Sequence, residues 1–210
     1  MSLQLGQTAP DFTLDSTKGS LHFSDYAHDH WVVFFSHPKD FTPICTTELG
    51  AFAQRKAEFD QRGTKLLGLS VDPVDQHKAW AKDIALVAGT ELNFPILADP
   101  DLTIAKLYGM FHPEADALVT VRSVFIIDPQ RKVRTILTYP PSVGRNIDEI
   151  LRTIDALQVT DKHPVATPVN WNPGDEIVVS PKIADADAEK QFPGLRKVTP
   201  YLRFAKVPRA

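Results

Sequence analysis

Short apolar runs alternate with helix-spaced patterns over the first three quarters of the chain. Residues 31–35 (Trp-Val-Val-Phe-Phe) and 65–71 are rich in β-branched, aliphatic and aromatic side chains and bounded by turn signals, which predicts two buried strands. Between them, Leu49, Phe52, Ala53 and Phe59 share one face of a predicted helix over 48–62, which stops at Gly63. That is a β-α-β unit. Further helices are expected over 75–87 and 101–108, with a short strand at 94–98. Strands at 124–127 and 133–137 flank the turn Asp128-Pro129-Gln130-Arg131 and form a predicted hairpin. Ile147, Ile150, Leu151 and Ile154 then fall at i, i+3, i+4 and i+7, the signature of an amphipathic helix. The order defines an α/β protein with a thioredoxin-like fold, a central mixed β-sheet flanked by helices, carrying an inserted segment.

Past residue 160 the pattern weakens, and seven of the 17 prolines lie there. This divides the chain into a domain over 1–160 and a small loop-rich C-terminal module over 161–210. The stretch from Arg196 to Arg209 has five basic residues and no acidic one, which reads as a solvated surface or a subunit contact.

The chain has 210 residues, 43% of them hydrophobic and 23% charged, and a net charge of −3. Disordered and fibrous classes are set aside, and nothing in this balance calls for a nucleic-acid partner. No apolar stretch approaches the roughly 18 residues needed to span a bilayer. The cysteine count changes the picture most: Cys45 is the only one. A lone thiol excludes an internal disulfide, a Cys-x-x-Cys redox pair and a zinc ribbon. With a polar N-terminus that reads as no export signal, it places the protein in a reducing cytoplasm.

Cys45 sits in His37-Pro38-Lys39-Asp40-Phe41-Thr42-Pro43-Ile44-Cys45-Thr46-Thr47-Glu48-Leu49-Gly50, at a strand-to-helix junction where helix N–H groups favour an anion. Such a place stabilises a thiolate. Thr42, three residues earlier, is within reach of the sulfur or of a bound oxygen substrate. Pro38 and Pro43 fix the backbone and remove two competing donors. A cysteine hydrolase would use the same thiolate but needs a histidine base, and no such signature surrounds Cys45. A redox sensor or a chaperone would be the non-enzymatic reading. The pair of histidines in His28-Asp29-His30 lacks a convincing further ligand, so no metal site is expected.

The segment resembles the active-site signature of the peroxiredoxins, Pro-x-x-x-Thr-x-x-Cys, here Pro38, Thr42 and Cys45. His37 and the run Thr46-Thr47-Glu48-Leu49 extend the likeness to the one-cysteine, peroxiredoxin 6-like branch of the AhpC/TSA family. It continues through 69–72, 93–96, 121–126, 144–146 and 165–171. The resemblance implies a thiol-dependent peroxidase that reduces hydrogen peroxide and organic hydroperoxides in antioxidant defence and redox homeostasis. It makes Cys45 the peroxidatic nucleophile, oxidised to a sulfenic acid. It also makes Thr42 the residue that orients peroxide and sulfur, Arg122 the thiolate's partner, Glu48 the group that orients Arg122, and Pro38 the shield over the sulfur. His37 and Arg145 are expected to line the peroxide site. No cofactor is implied. Having no resolving cysteine, the chain needs an external thiol reductant, glutathione or a thioredoxin-type donor. The branch further implies a homodimer through module 161–210, which some relatives assemble into decamers. Animal relatives are credited with a phospholipase-type triad, whose positions here hold His30, Ser24 and Gln130, so that activity is not expected.

Overall fold

The structure, a computed structural model, describes residues 3–207, so Arg209 of the basic stretch lies outside the described residues. The chain forms two compact units, Met1–Ile147 and Asp148–Ala210.

In the first unit, β1 (Thr13–Ser16), β2 (Gly19–His22) and α1 (Phe23–Ala27) precede β3 (Trp31–Ser36) and α2 (Pro43–Gln54). Then follow α3 (Lys56–Asp60), β4 (Thr64–Ser70), α4 (Val74–Ala88), β5 (Ile96–Ala98), α5 (Thr103–Tyr108), β6 (Arg122–Ile127) and β7 (Val133–Tyr139). The seven strands make one sheet in the order β2-β1-β5-β4-β3-β6-β7. β3, β4 and β5 run parallel, while the β6–β7 hairpin joins β3 antiparallel. All six residues of β3 and of β6 are buried, as an apolar run in the middle of a covered sheet must be. A thioredoxin-like α/β fold is what the pattern predicts and what the chain forms.

Two differences bear on the site. The helix expected over 48–62 begins earlier, with Pro43 at its first position, where a missing N–H costs nothing. It also breaks at Arg55 (φ −99°, ψ 9°) before resuming as α3. Cys45 therefore lies inside the first turn of α2 rather than ahead of it. Gly50 lets this helix lie close to α4, since a Cβ there would stand 3.1 Å from the Ala88 Cβ. On α4 the buried residues are His77, Trp80 and Ile84, one stripe at i, i+3 and i+7. β1 and β2 are absent from the sequence prediction because each has a single buried residue, Ser16 and Leu21, too few to show a period.

The second unit holds most of α6 (Ile147–Lys162) together with β8 (Val165–Ala166), β9 (Ile177–Val179), α7 (Asp185–Gln191), β10 (Arg196–Thr199) and β11 (Leu202–Ala205). Its strands form a second sheet, β10-β11-β9-β8. The division falls at the start of α6 rather than after Thr160, because Ala156 and Val159 on that helix join Trp171, Ile177, Val179 and Phe192 in a separate small core. The basic residues are engaged within this unit: Arg196 with Glu176 at 2.6 Å, Lys197 and Arg203 with Asp185 at 2.5 and 2.9 Å, and Lys206 with the Gly174 carbonyl at 2.7 Å. No helix among the described residues is long and apolar enough to cross a membrane.

Candidate active site

Cys45 is fully buried. As the third residue of α2 it sits in the turn whose backbone N–H groups have no partner within the helix. Thr42 stands at the N-cap with extended backbone, and its carbonyl accepts the first helical hydrogen bond, from Thr46 N at 3.0 Å. Phe41, just before it, has φ +54°, a left-handed conformation rare for a bulky residue. That reversal leaves the Phe41 ring exposed while the neighbouring Asp40 is buried.

Arg122, at the start of β6, donates from Nη1 to Cys45 Sγ at 3.3 Å and to Glu48 Oε2 at 2.6 Å. Its Nε and Nη2 both donate to the Pro141 carbonyl, at 2.9 and 2.6 Å. One edge of the guanidinium is thus clamped by the chain just past β7, which aims the remaining nitrogen at the sulfur. Glu48 follows Cys45 by three positions and so shares its helix face. It accepts four hydrogen bonds: Arg122 Nη1, and from Arg145 the backbone N and Nε on Oε1 and Nη2 on Oε2, at 2.8, 2.8 and 2.7 Å. Burial alone would push the Glu48 carboxyl up, but Arg145, and after it Arg122, hold it below the usual glutamate value. Arg145 also donates to the Ser36 carbonyl at 2.8 Å and stacks over the Phe35 ring at 4.9 Å. Two cations face one carboxylate, which leaves positive charge in excess beside the Cys45 sulfur.

Sequence reading and geometry differ in three places. Arg145 joins the site through Glu48, donating to the same carboxylate as Arg122. Thr42 spends its hydroxyl proton on the Lys39 carbonyl at 2.9 Å, which leaves the oxygen to accept from an incoming O–H. His37 is fully buried and hydrogen-bonds to Asp40 at 2.8 Å rather than to the sulfur. Pro38 is buried. Residues that the sequence did not disclose are Pro141, which acts through its carbonyl, and Trp80, which donates to Thr46 Oγ1 at 3.1 Å. A groove of about 320 Å³ beside the turn is lined by Phe41, Thr42, Pro43, Thr46, Thr47 and Trp80, among others. Elsewhere, Ser24 pairs with His22, His30 with the His28 carbonyl, and the Gln130 backbone with Asp128.

Comparison with known proteins gives the same class. Residues 5–136 match the model of the AhpC/TSA family, and residues 156–194 that of the C-terminal domain of 1-Cys peroxiredoxin. The 1-Cys peroxiredoxin of Dictyostelium discoideum is 49% identical, over 98% of this chain and 86% of that protein. The yeast mitochondrial 1-Cys peroxiredoxin, whose structure addresses thiol resolution via glutathione/thioredoxin systems, superimposes with TM-score 0.91 at 47% identity, over 97% of this chain and 99% of that one. A cysteine-to-serine mutant of the peroxiredoxin 6 of Arenicola marina superimposes with TM-score 0.94 at 41% identity, over all of both chains. The chain belongs to the AhpC/TSA family and, within it, to the one-cysteine peroxiredoxins. Its activity is thiol-dependent peroxide reduction through its single cysteine.

Proposed function

We propose that Arg122 and Thr42 carry the chemistry at Cys45, and that glutathione is the first external thiol to be tested as reductant. The observation behind this is the Arg122 nitrogen 3.3 Å from Sγ, fixed by Glu48 and the Pro141 carbonyl. The Cys45 thiolate attacks the terminal oxygen of a hydroperoxide; an S–O bond forms and the O–O bond breaks. Electrons pass to the departing oxygen, which takes up a proton and leaves as water or alcohol, with cysteine sulfenic acid left behind. Thr42 Oγ1 accepts the hydroperoxide O–H, and Arg122 donates to the developing negative charge. One external thiol then condenses with the sulfenic acid, releasing water, and a second frees Cys45 as the external disulfide forms. The chain has no second cysteine to intercept this step.

The yeast relative's link to glutathione and thioredoxin systems supports the choice of donor. A homodimer through residues 161–210, with or without assembly into decamers, and a cytoplasmic location suited to an unpaired thiol complete the proposal. Turnover of hydrogen peroxide and of an alkyl hydroperoxide, measured with glutathione, with a thioredoxin system and with neither, tests it. Multiple turnovers are expected with glutathione, and one equivalent only without reductant. A halt after one equivalent under every reductant would instead favour a stoichiometric sensor. Excess peroxide should carry Cys45 on to sulfinic acid.

A further inference from the structure

His37, Asp40 and His77 come from the end of β3, the loop before α2 and the first turns of α4, and all are buried. The Asp40 Oδ1 lies 2.8 Å from His37 Nε2, and its Oδ2 lies 2.6 Å from His77 Nδ1. The other nitrogen of His77 is 3.2 Å from the Leu97 carbonyl. The Asp40 backbone N donates to Asp72 Oδ2 at 2.8 Å, which ties the loop down. Among the described residues this is the one group of three histidine, cysteine or acidic side chains whose ligand atoms lie within 4.8 Å of one another. Either an ion or protons could join such groups. Bonds of about 2.0–2.1 Å to a tetrahedral zinc would hold neighbouring ligand atoms about 3.4 Å apart, whereas 2.6 and 2.8 Å are hydrogen-bond lengths. Protons join these three.

Those protons can be placed. The Leu97 carbonyl only accepts, so His77 Nε2 carries hydrogen. One hydrogen lies between His77 Nδ1 and Asp40, and another between His37 Nε2 and Asp40. Burial opposes the charge on Asp40, yet the hydrogen bonds from His37 and His77 outweigh it and keep the carboxyl below its usual value. Burial holds His37 below the usual imidazole value against the pull of Asp40, so this ring is neutral. With its one proton on Nε2, His37 Nδ1 is a bare lone pair. It has no partner, and among the described residues it is the only buried side-chain nitrogen or oxygen of the first unit in that position. The ring packs against Trp80 at 5.2 Å, and Trp80 bonds Thr46, the residue after Cys45.

We infer that Asp40 and His77 are positioning residues of the peroxidase: together they lock His37 in its Nε2–H tautomer and keep Nδ1 as a free acceptor on a ring that reaches the Cys45 turn through Trp80. The inference rests on the peroxidase reading. In that reaction the hydroperoxide and the sulfenic acid are the species that bring an O–H. A flipped tautomer would present N–H where an acceptor is needed, and a free ring would lose its aim. The charged or titratable groups that act on His37 are Asp40, His77 and Arg145.

Long-range ¹⁵N–¹H spectra of the reduced, full-length protein test this in the resting state. They are expected to show His37 neutral and protonated at Nε2 between about pH 6 and 8. In Asp40→Ala the ring should exchange between both tautomers, and the second-order rate constant for hydrogen peroxide should fall about ten- to hundredfold. A His37 protonated at Nδ1, or charged, in the wild type overturns the inference, as does an unchanged rate in Asp40→Ala. Uptake of one equivalent of added zinc with loss of the imidazole N–H signals overturns it in favour of a metal site. Should Asp40→Ala fail to fold, the wild-type spectrum decides alone. Because that spectrum needs no turnover, its failure leaves the peroxidase reading standing, whereas loss of Cys45-dependent turnover would remove both.

Discussion

Replacing Arg122 with alanine is expected to lower the rate constant for peroxide by about two to three orders of magnitude, and most of the loss should persist above about pH 9. The size follows from what thiol ionisation can supply. An ordinary thiol, with pKa about 8.5, is roughly 3% ionised near neutrality, so complete ionisation gains about thirtyfold, or ~2 kcal/mol. Enzymes commonly supply a million-fold or more, which leaves most of the acceleration to placing the peroxide and stabilising charge on the departing oxygen. Arg122 is built for that: two of its nitrogens are occupied by the Pro141 carbonyl and the third points at the sulfur. Raising the pH restores the thiolate but not the donor. Stopped-flow oxidation of Arg122→Ala between neutral and alkaline pH makes the check, and full recovery in alkali would mean that Arg122 only promotes ionisation. Arg122→Lys should recover little, since an ammonium cannot grip the carbonyl with a planar edge and still reach both Glu48 and Cys45.

Glu48→Ala should cost about 3–5 kcal/mol of stability as well as activity. Its carboxylate takes four hydrogen bonds from two buried arginines, and removing it leaves those two buried charges without their carboxylate. Glu48→Gln keeps the shape but offers one acceptor oxygen and turns an amide N–H₂ toward guanidinium donors, so it should recover only part of the loss. The pH dependence has a definite sign. The folded-state pKa of Glu48 is depressed below its ordinary value near 4.5, so its contribution is complete above that value and is lost as pH falls below it. Asp40 is depressed too and acts in the same direction. Thermal melts should therefore show wild-type stability declining below about pH 4.5, with a shallower decline in Glu48→Gln. Equal slopes in the two proteins would contradict the role given to the carboxylate.

The central sheet was legible because β3, β4 and β6 are buried on both faces and carry unbroken apolar runs. β1 and β2, at one end of the sheet, and the four short strands of the second unit were not, since strands this short show no period and, unlike β5, do not sit between two clear helical patterns in a β/α alternation. At the site, Cys45, Thr42 and Glu48 sit in one segment, but the predicted helix began at Glu48, and Cys45 shares its face only because α2 begins at Pro43. Arg122 lies 77 residues from Cys45 and came only through resemblance. The Pro141 carbonyl is backbone and leaves no trace in residue type. His77 looked like one more polar residue of α4, for its link to Asp40 spans 37 positions and needs the fold to bring the two together. Spacing put Thr42 within reach of the sulfur and the resemblance put His37 at the peroxide site, whereas in the structure each has its own partner, the Lys39 carbonyl and Asp40.

The most direct measurement is a stoichiometric one. Reduced protein is mixed with a slight excess of hydrogen peroxide, without reductant and for an interval too short for sulfinic acid to form, sulfenic acid is trapped with a dimedone-type reagent, and intact mass and peroxide consumed are read together for wild type and Cys45→Ser. Wild type should consume one peroxide per chain and carry one trapped adduct, at Cys45, and an external thiol added before trapping should restart consumption. Cys45→Ser should consume none above background. Consumption by Cys45→Ser at the wild-type rate would contradict a mechanism that rests on this one sulfur.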